Sequence, residues 1–360
     1  MNAPAAATAR RYALRLRVDR DAVAASVVRE GPADLSAVMR GRTVAEAHRL
    51  AGLLFPVCPR AHEAALIRAC EAATGAAPSP EEARRRALLV AVEACVAGVW
   101  REALTWPAIV GRAGDAARVR SARAIGDALC AALGPGPEDR AALPQSTADA
   151  ARVRDGAQRL ADLVQRPAGA SDGGDVPGAE AIEADIGGAR PLDAAIERPS
   201  ERPPGREETP RTVRAADAPA TAQLSDWYTA QRRHLCALAD RVVALSAAVV
   251  AGAAAADDEA AVHNAAAVGE PGGSGAGLGV AMTARGRLRH IVELDGGRIV
   301  RWRADAPTDW NFADRGPVAL AASRLRPDAD LDRCARLLVG AFDPCAPCAV
   351  VVEHGGGGHA

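Results

Sequence analysis

Apolar and polar residues alternate across positions 12–18, Tyr-Ala-Leu-Arg-Leu-Arg-Val. That is the period of a strand with one buried face, and it predicts an opening β-strand. The period then lengthens to that of helices. Thr43 followed three residues later by Glu46 is a capping-box signature that starts one helix. Ser79-Pro80-Glu81-Glu82 starts another, with Pro80 at the favoured first helical position ahead of the apolar run 87–104. Trp106-Pro107 predicts the end of that helix. Weaker amphipathic patterns cover 116–133 and 148–164, separated by Gly134-Pro135-Gly136-Pro137.

Residues 1–165 therefore read as a strand followed by a helical region. Between 166 and 222 the chain is rich in Pro, Gly, Glu, Asp and Arg without periodic apolar positions, and a disordered linker is expected. A helix is predicted over 224–250. A Gly/Ala-rich stretch follows, reaching Gly279, in which Gly273-Ser274-Gly275-Ala276-Gly277 has neither the preceding strand nor the following helix of a nucleotide-binding loop and is read as a flexible connection. Residues 288–294 alternate, Asp295-Gly296-Gly297 supplies a tight turn, and 299–304 returns, which predicts a β-hairpin. A last helix over 329–342 leads to the C-terminal cysteines. The expected fold class is mainly α with a small antiparallel β element (α+β). The N-terminal strand is a candidate partner for the hairpin, and 223–360 is expected to pack with the N-terminal region as one domain.

The chain has 360 residues, with 44 basic against 45 acidic side chains and a formal net charge of -1. All the basic residues are Arg. A near-neutral balance removes the electrostatic argument for nucleic acid or an anionic membrane as partner. The N-terminal residues 1–20 lack an apolar stretch, and 242–256 is apolar but too short and too Ala-rich to span a bilayer. A soluble, cytoplasmic protein is expected.

Eight cysteines in a chain of this length are not a disulfide framework. Cys58, in Phe55-Pro56-Val57-Cys58-Pro59-Arg60-Ala61-His62, precedes a predicted helix and is placed as its N-cap, where unpaired N–H groups and the dipole favour thiolate. The competing reading is a small buried cysteine filling a helix start, and His62 likewise reads as a core or capping histidine. Cys345-Ala346-Pro347-Cys348 allows two thiolates to meet one metal in a turn stiffened by Pro344 and Pro347. The second pair of a zinc ribbon is absent, and a thioredoxin-like motif would open a helix rather than follow one. Cys70, Cys95, Cys130, Cys236 and Cys334 sit in helical apolar patterns as core residues.

Four stretches in order resemble the large subunit of [NiFe]-hydrogenases, and more closely its large-subunit-like accessory proteins, HupK and HoxV. Gly41-Arg42, then 55–62 and Ala69-Cys70-Glu71, resemble the first metal motif, Arg-x-Cys-Gly-x-Cys-Pro-x-x-His. Arg285-Gly286-x-Leu288-x-His290 resembles the Arg-Gly hairpin, and Ala306-Pro307-Thr308-Asp309-Trp310-Asn311-Phe312 with Arg315-Gly316-Pro317 resembles the Pro-Thr-x-Trp-Asn segment. Asp343-Pro344-Cys345-Ala346-Pro347-Cys348 resembles the C-terminal metal motif, and 100–107 is similar to the accessory branch. The resemblance covers roughly residues 12–110 and 280–352.

In the catalytic family four thiolates hold nickel, and the second of each pair bridges to an iron carrying cyanide and carbon monoxide. By resemblance the bridging positions are Cys58 and Cys348, and one terminal position is Cys345. The other terminal position is Phe55, and the neighbouring Gly is Pro56. No stable nickel is therefore expected, while two thiolates remain for iron. Val351 stands where the family has the His at which its C-terminal peptide is cleaved, and His354 is three residues late. Arg285 would lie over the diatomic ligands, with Asp343 and His62 supporting. The resemblance implies a non-enzymatic scaffold that takes an Fe(CN)2(CO) unit from the maturation proteins that deliver it and passes it to the hydrogenase large subunit precursor. Alternatives are a cofactor-free chaperone for that precursor, or a helical protein with structural zinc on Cys345 and Cys348. An active hydrogenase is disfavoured by Phe55 and Val351.

Overall fold

The computed structural model describes residues 10–19, 22–31, 35–134, 147–166, 224–251, 268–270 and 274–354. The expected linker lies, apart from Arg166, outside them. Helices dominate. The opening strand forms as β1 (Arg11–Asp19), and it pairs antiparallel with β2 (Ala22–Glu30), which the alternation at 12–18 did not announce. A short helix, α1 (Ser36–Met39), leads to α2 (Val44–Leu54). There Thr43 Oγ1 accepts from the Glu46 N–H at 3.3 Å while Glu46 Oε2 accepts from the Thr43 N–H at 2.9 Å, the reciprocal cap predicted.

α3 (Pro59–Thr74) and α4 (Pro80–Trp100) follow, each with proline in its first turn, and Ser79 Oγ accepts from the Glu82 N–H at 3.1 Å. Trp106-Pro107 does not end the helix. The chain passes through a π-helical turn, Arg101–Thr105, into α5 (Trp106–Ile109). Pro107 has no N–H for the carbonyl of Ala103, four residues back, and that oxygen accepts instead from the Asp115 N–H at 2.8 Å. The helix thus tolerates its proline because the orphaned acceptor finds another donor.

α6 (Ala116–Ala132), α7 (Thr147–Gln165) and α8 (Leu224–Ala251) pack with α4 into a bundle around Leu88, Val92, Ile125, Leu129, Leu160 and Leu235, all buried. Each such leucine contributes about 2 kcal/mol on leaving water. Within α8, Gln231–Ala251 is long and apolar enough to cross a bilayer by length and composition. Its Leu235, Ala239, Val242 and Val249 are instead buried in the bundle.

Four antiparallel strands form a second sheet in the order β3 (Val268–Glu270), β4 (Ser274–Thr283), β5 (Gly286–Asp295) and β6 (Arg298–Asp305). The predicted hairpin is β5–β6, turning at Gly296 and Gly297 with φ of 53° and 73°, a primed two-residue turn. The glycine stretch read as a flexible connection is, from Ser274 onward, the strand β4. Its glycines serve close approach. A Cβ on Gly277 would meet Ala69 O at 2.0 Å, and one on Gly279 would meet Ala65 O at 2.0 Å, so α3 lies directly on the strand's backbone.

The last elements are α9 (Pro307–Asn311), α10 (Pro317–Ala322), α11 (Leu331–Phe342) and β7 (Cys348–His354). The hairpin near residue 290 is not joined in a sheet to the N-terminal strand. β1 pairs on its other side with β7, in parallel, so the first sheet runs β2-β1-β7. Its buried face is covered by α10 and α11 with Leu14, Leu16, Val318, Leu337 and Leu338. The hairpin is tied to the chain just before α2 by the isolated bridge Thr43–Arg298 and by hydrogen bonds of Ile299 with Gly41 and Arg42.

Candidate metal centre

Cys58 sits at the N-cap of α3, where Pro59 sets the first helical φ. Its side chain makes no capping bond and is buried at 8% exposure among Ala61, Ala65, Val90, Ala281 and Leu288. The sequence placed it correctly, but the thiolate argument fails. The N–H groups of Arg60 and Ala61 at the helix start donate to the Glu93 carboxyl group at 2.7 and 3.1 Å, so Glu93 and not the Cys58 thiol occupies the helix start. Burial, aided by Cys345 and Glu93 and opposed by Arg285, pushes the Cys58 thiol well above its ordinary range. At neutral pH it is a protonated thiol.

Arg285 stands at the two-residue tip between β4 and β5, held by its N–H donating to Thr283 Oγ1 at 3.1 Å. Its Nε donates to Asp343 O at 2.7 Å and lies 3.2 Å from Asp343 Oδ2. From the π turn, Arg101 Nη1 donates to the same Oδ2 at 2.8 Å. One carboxylate thus holds two largely buried guanidinium groups, an excess of one positive charge. Asp343 follows α11 with φ 46°, and among the described residues it alone, glycine apart, has positive φ. That left-handed turn swings the chain toward Arg285. Two residues on, the Cys345 N–H donates to Thr308 Oγ1 at 3.1 Å in the first turn of α9.

Cys58 packs with Ala281 and Leu288, on the two strands that flank the tip bearing Arg285, and Arg285 holds Asp343, two residues before Cys345. Three distant parts of the sequence therefore come together around this tip. Cys348 opens β7 beside Tyr12, packs against the core of the first sheet, and its thiol is pushed up to about 11 by burial. Among the described residues, no three His, Cys, Asp or Glu side chains converge closely enough to hold a metal ion. By resemblance the pair for iron is Cys58 and Cys348, with Cys345 as the third thiol.

His62 is a buried residue at 2% exposure, stacked on Phe55 with centroids 3.6 Å apart and planes at 5°. Phe55, in a terminal nickel position by resemblance, is thereby a packed ring with no lone pair to offer. His62 Nδ1 is 2.9 Å from His290 Nε2, and the Trp302 indole N–H donates to His290 Nδ1 at 3.1 Å. Since indole only donates, His290 must carry its proton on Nε2 and give it to His62 Nδ1. His62 then keeps its own proton on Nε2. Burial holds both imidazoles neutral, His290 down to about 3.

Arg101, Thr308, Glu93 and Trp302 were not singled out. Thr308 and His290 lay inside quoted motifs, so position alone could have flagged them. Arg101 and Glu93 sit in the apolar run of α4 and its extension, where a charged residue on a buried helix is the only signal. Val351 and His354 both fall in β7, and Val351 is 37% exposed.

No family model matches the chain. The hydrogenase expression/formation protein HupK of Azotobacter vinelandii is 30% identical over 336 residues, 89% of this chain and 91% of that protein. HupV of Azotobacter chroococcum mcd 1 is 42% identical over 82 residues, 22% of this chain and 24% of that relative, and HoxV of Cupriavidus necator is 44% identical over 73 residues, 19% of each. Among solved structures, a [NiFeSe] hydrogenase variant from Desulfovibrio vulgaris Hildenborough superposes with a TM-score of 0.63 at 13% identity, covering 94% of this chain and 99% of that one. The reduced hydrogenase of Desulfomicrobium baculatum gives 0.58 at 14%, covering 92% and 95%. The fold is that of a hydrogenase large subunit, and the chain belongs to the HupK/HoxV family of hydrogenase expression/formation proteins.

Proposed function

We propose that this chain is a cytoplasmic, non-catalytic scaffold of [NiFe]-hydrogenase maturation. It receives an Fe(CN)2(CO) unit as cargo from the proteins that deliver it, holds it transiently, and passes it to the large subunit precursor. The observation that carries the reading is that the segment of Cys58, the tip bearing Arg285 and the Asp343–Cys345 segment come together in a chain that shares its family with named expression/formation proteins. Chemically the set suits an anionic iron fragment. Buried thiols surrender their protons to a metal, and the thiolates and cyanides then meet the unbalanced positive charge of Arg101 and Arg285 around one carboxylate. By resemblance the second iron thiolate is Cys348, with Cys345 three residues before it. The stacked Phe55 ring leaves nickel short of a ligand.

Infrared spectroscopy with iron quantification on protein purified without oxygen from cells that make the maturation machinery tests this. Cyanide and carbonyl bands are expected in the wild type and should vanish in Cys58→Ala. Comparing Cys345→Ala with Cys348→Ala identifies the second thiolate. Iron-free protein without bands would overturn the scaffold. That no three His, Cys, Asp or Glu side chains converge among the described residues favours one other reading, a cofactor-free chaperone for the precursor, which that outcome would leave standing, whereas stoichiometric zinc would point to a structural site.

A further inference from the structure

A cleft of about 770 Å³ opens beside the candidate centre, and Cys345, His62, Phe55 and Trp302 line it. Its long wall is the β5–β6 hairpin. β5 contributes only alternate residues, Arg289, Ile291 and Glu293, the side of the sheet turned away from α3. β6 contributes every residue from Val300 to Asp305. Successive strand residues point to opposite faces, so a cleft that touches all of them must run along the strand's edge. β6 is the edge of its sheet, and Gly41, Arg42 and Thr43 cover only its start: Ile299 N donates to Arg42 O at 2.9 Å and Gly41 N to Ile299 O at 2.7 Å. Beyond Ile299, among the described residues, no strand pairs with that edge.

The charge of the cleft is one-sided although the chain is near neutral. Arg10, Arg29, Arg40, Arg289, Arg301 and Arg303 line it against Glu293, Asp305 and Asp309. Six guanidiniums facing three carboxylates leave three positive charges in excess. Arg301 and Arg303 sit two apart on β6 with side chains 76% and 69% exposed. Arg301 donates to Glu293 and Arg303 to Asp305, exposed pairs that a ligand carboxylate beside the open edge can share or replace.

We propose that this cleft docks an extended acidic segment of a partner protein, which adds as a strand to β6 and lies alongside Cys345. Main-chain hydrogen bonds to the edge would supply affinity, alternate acidic side chains would meet Arg301 and Arg303, and apolar ones would rest on Ile291 and Trp310. The partner class deepens the scaffold reading, since a recipient bound here stands at the cysteine, but docking itself requires no iron.

The test is fluorescence anisotropy of a labelled peptide of alternating glutamate and valine with the full, iron-free chain. Two control peptides accompany it, one with lysine for glutamate and one with alternate amides N-methylated. Binding is expected for the acidic peptide, weakening as salt is raised and falling at least about tenfold in the double variant Arg301→Glu, Arg303→Glu. Both control peptides should bind at least about tenfold more weakly. Equal binding of the methylated peptide would overturn strand addition, and equal binding of the lysine peptide or indifference to the double variant would overturn the charge argument. Circular dichroism of the variant checks folding, which these exposed positions leave intact. Infrared bands retained in the double variant while peptide binding is lost separate this inference from iron holding. Lost iron with retained peptide binding would sink the scaffold and leave the docking cleft.

Discussion

Glu93 governs the start of α3 and the acidity around Cys58. Its carboxylate is buried against the first N–H groups of that helix, and burial raises it from 4.5 to about 7. The folded form thus keeps a proton that the unfolded chain releases as pH rises through the ordinary carboxylate range. Stability from this group is complete below about pH 4.5 and is lost as pH climbs to about 7. Glu93→Gln cannot titrate. Urea midpoints measured at pH 5 and pH 7.5 should therefore differ less in the variant than in the wild type, and equal differences would contradict the assignment. Sequence placed Cys58 on a helix N-cap because Pro59 and the following periodicity are local signals. It could not place Glu93 there, since a carboxylate 35 positions on reaches the helix start only once α3 and α4 are packed. The protonated thiol follows mainly from burial, with Glu93 a smaller contribution, and not from the N-cap rule.

At the level of elements, caps and turns chosen by neighbouring residues were readable. Thr43 with Glu46, Ser79 with Pro80, and Asp295-Gly296-Gly297 all formed as their patterns require. Elements defined by distant partners were not. β4 looked like low complexity because its glycines are shaped by the backbone of α3, and the π turn replaced a helix end because Asp115 supplies a donor to Ala103. Gly279→Ala is expected to force a Cβ into the carbonyl of Ala65, shift α3, and destabilise the fold by about 1–3 kcal/mol. Chemical denaturation measures this directly. Gly296→Ala, with open space around its Cβ, incurs only the penalty of its φ of 53° and should cost less. A reversed order would refute the close-approach account of β4.

Across the molecule, three packing units depend on both halves of the sequence. α8 completes the bundle of α4, α6 and α7, β4 and β5 lie on α3, and β7 closes the sheet begun by β1. Fragments 1–166 and 224–360 made together in one cell are therefore expected to purify as a complex through a tag on either one. Independent elution of the two would mean that the interfaces between them are weaker than their burial implies. The mainly helical class was legible because it sums local periodicities. The approach of the Asp343–Cys345 segment to the tip bearing Arg285 was legible only through resemblance, and the parallel partnership of β1 with β7 was not legible at all, because no turn or spacing announces a pairing 336 residues apart (Tyr12 with Cys348).

That last partnership has a consequence during synthesis. β7 leaves the ribosome more than three hundred residues after β1, and until then the Tyr12 N–H waits for the carbonyl of Pro347 at 2.8 Å. The turn bearing Cys345 and Cys348 is anchored to β1 only after that long stretch has been made. A product stalled before that point carries Cys58 without Cys345 and Cys348, so no chain can present the three thiols together until the sheet of its two distant strands can close.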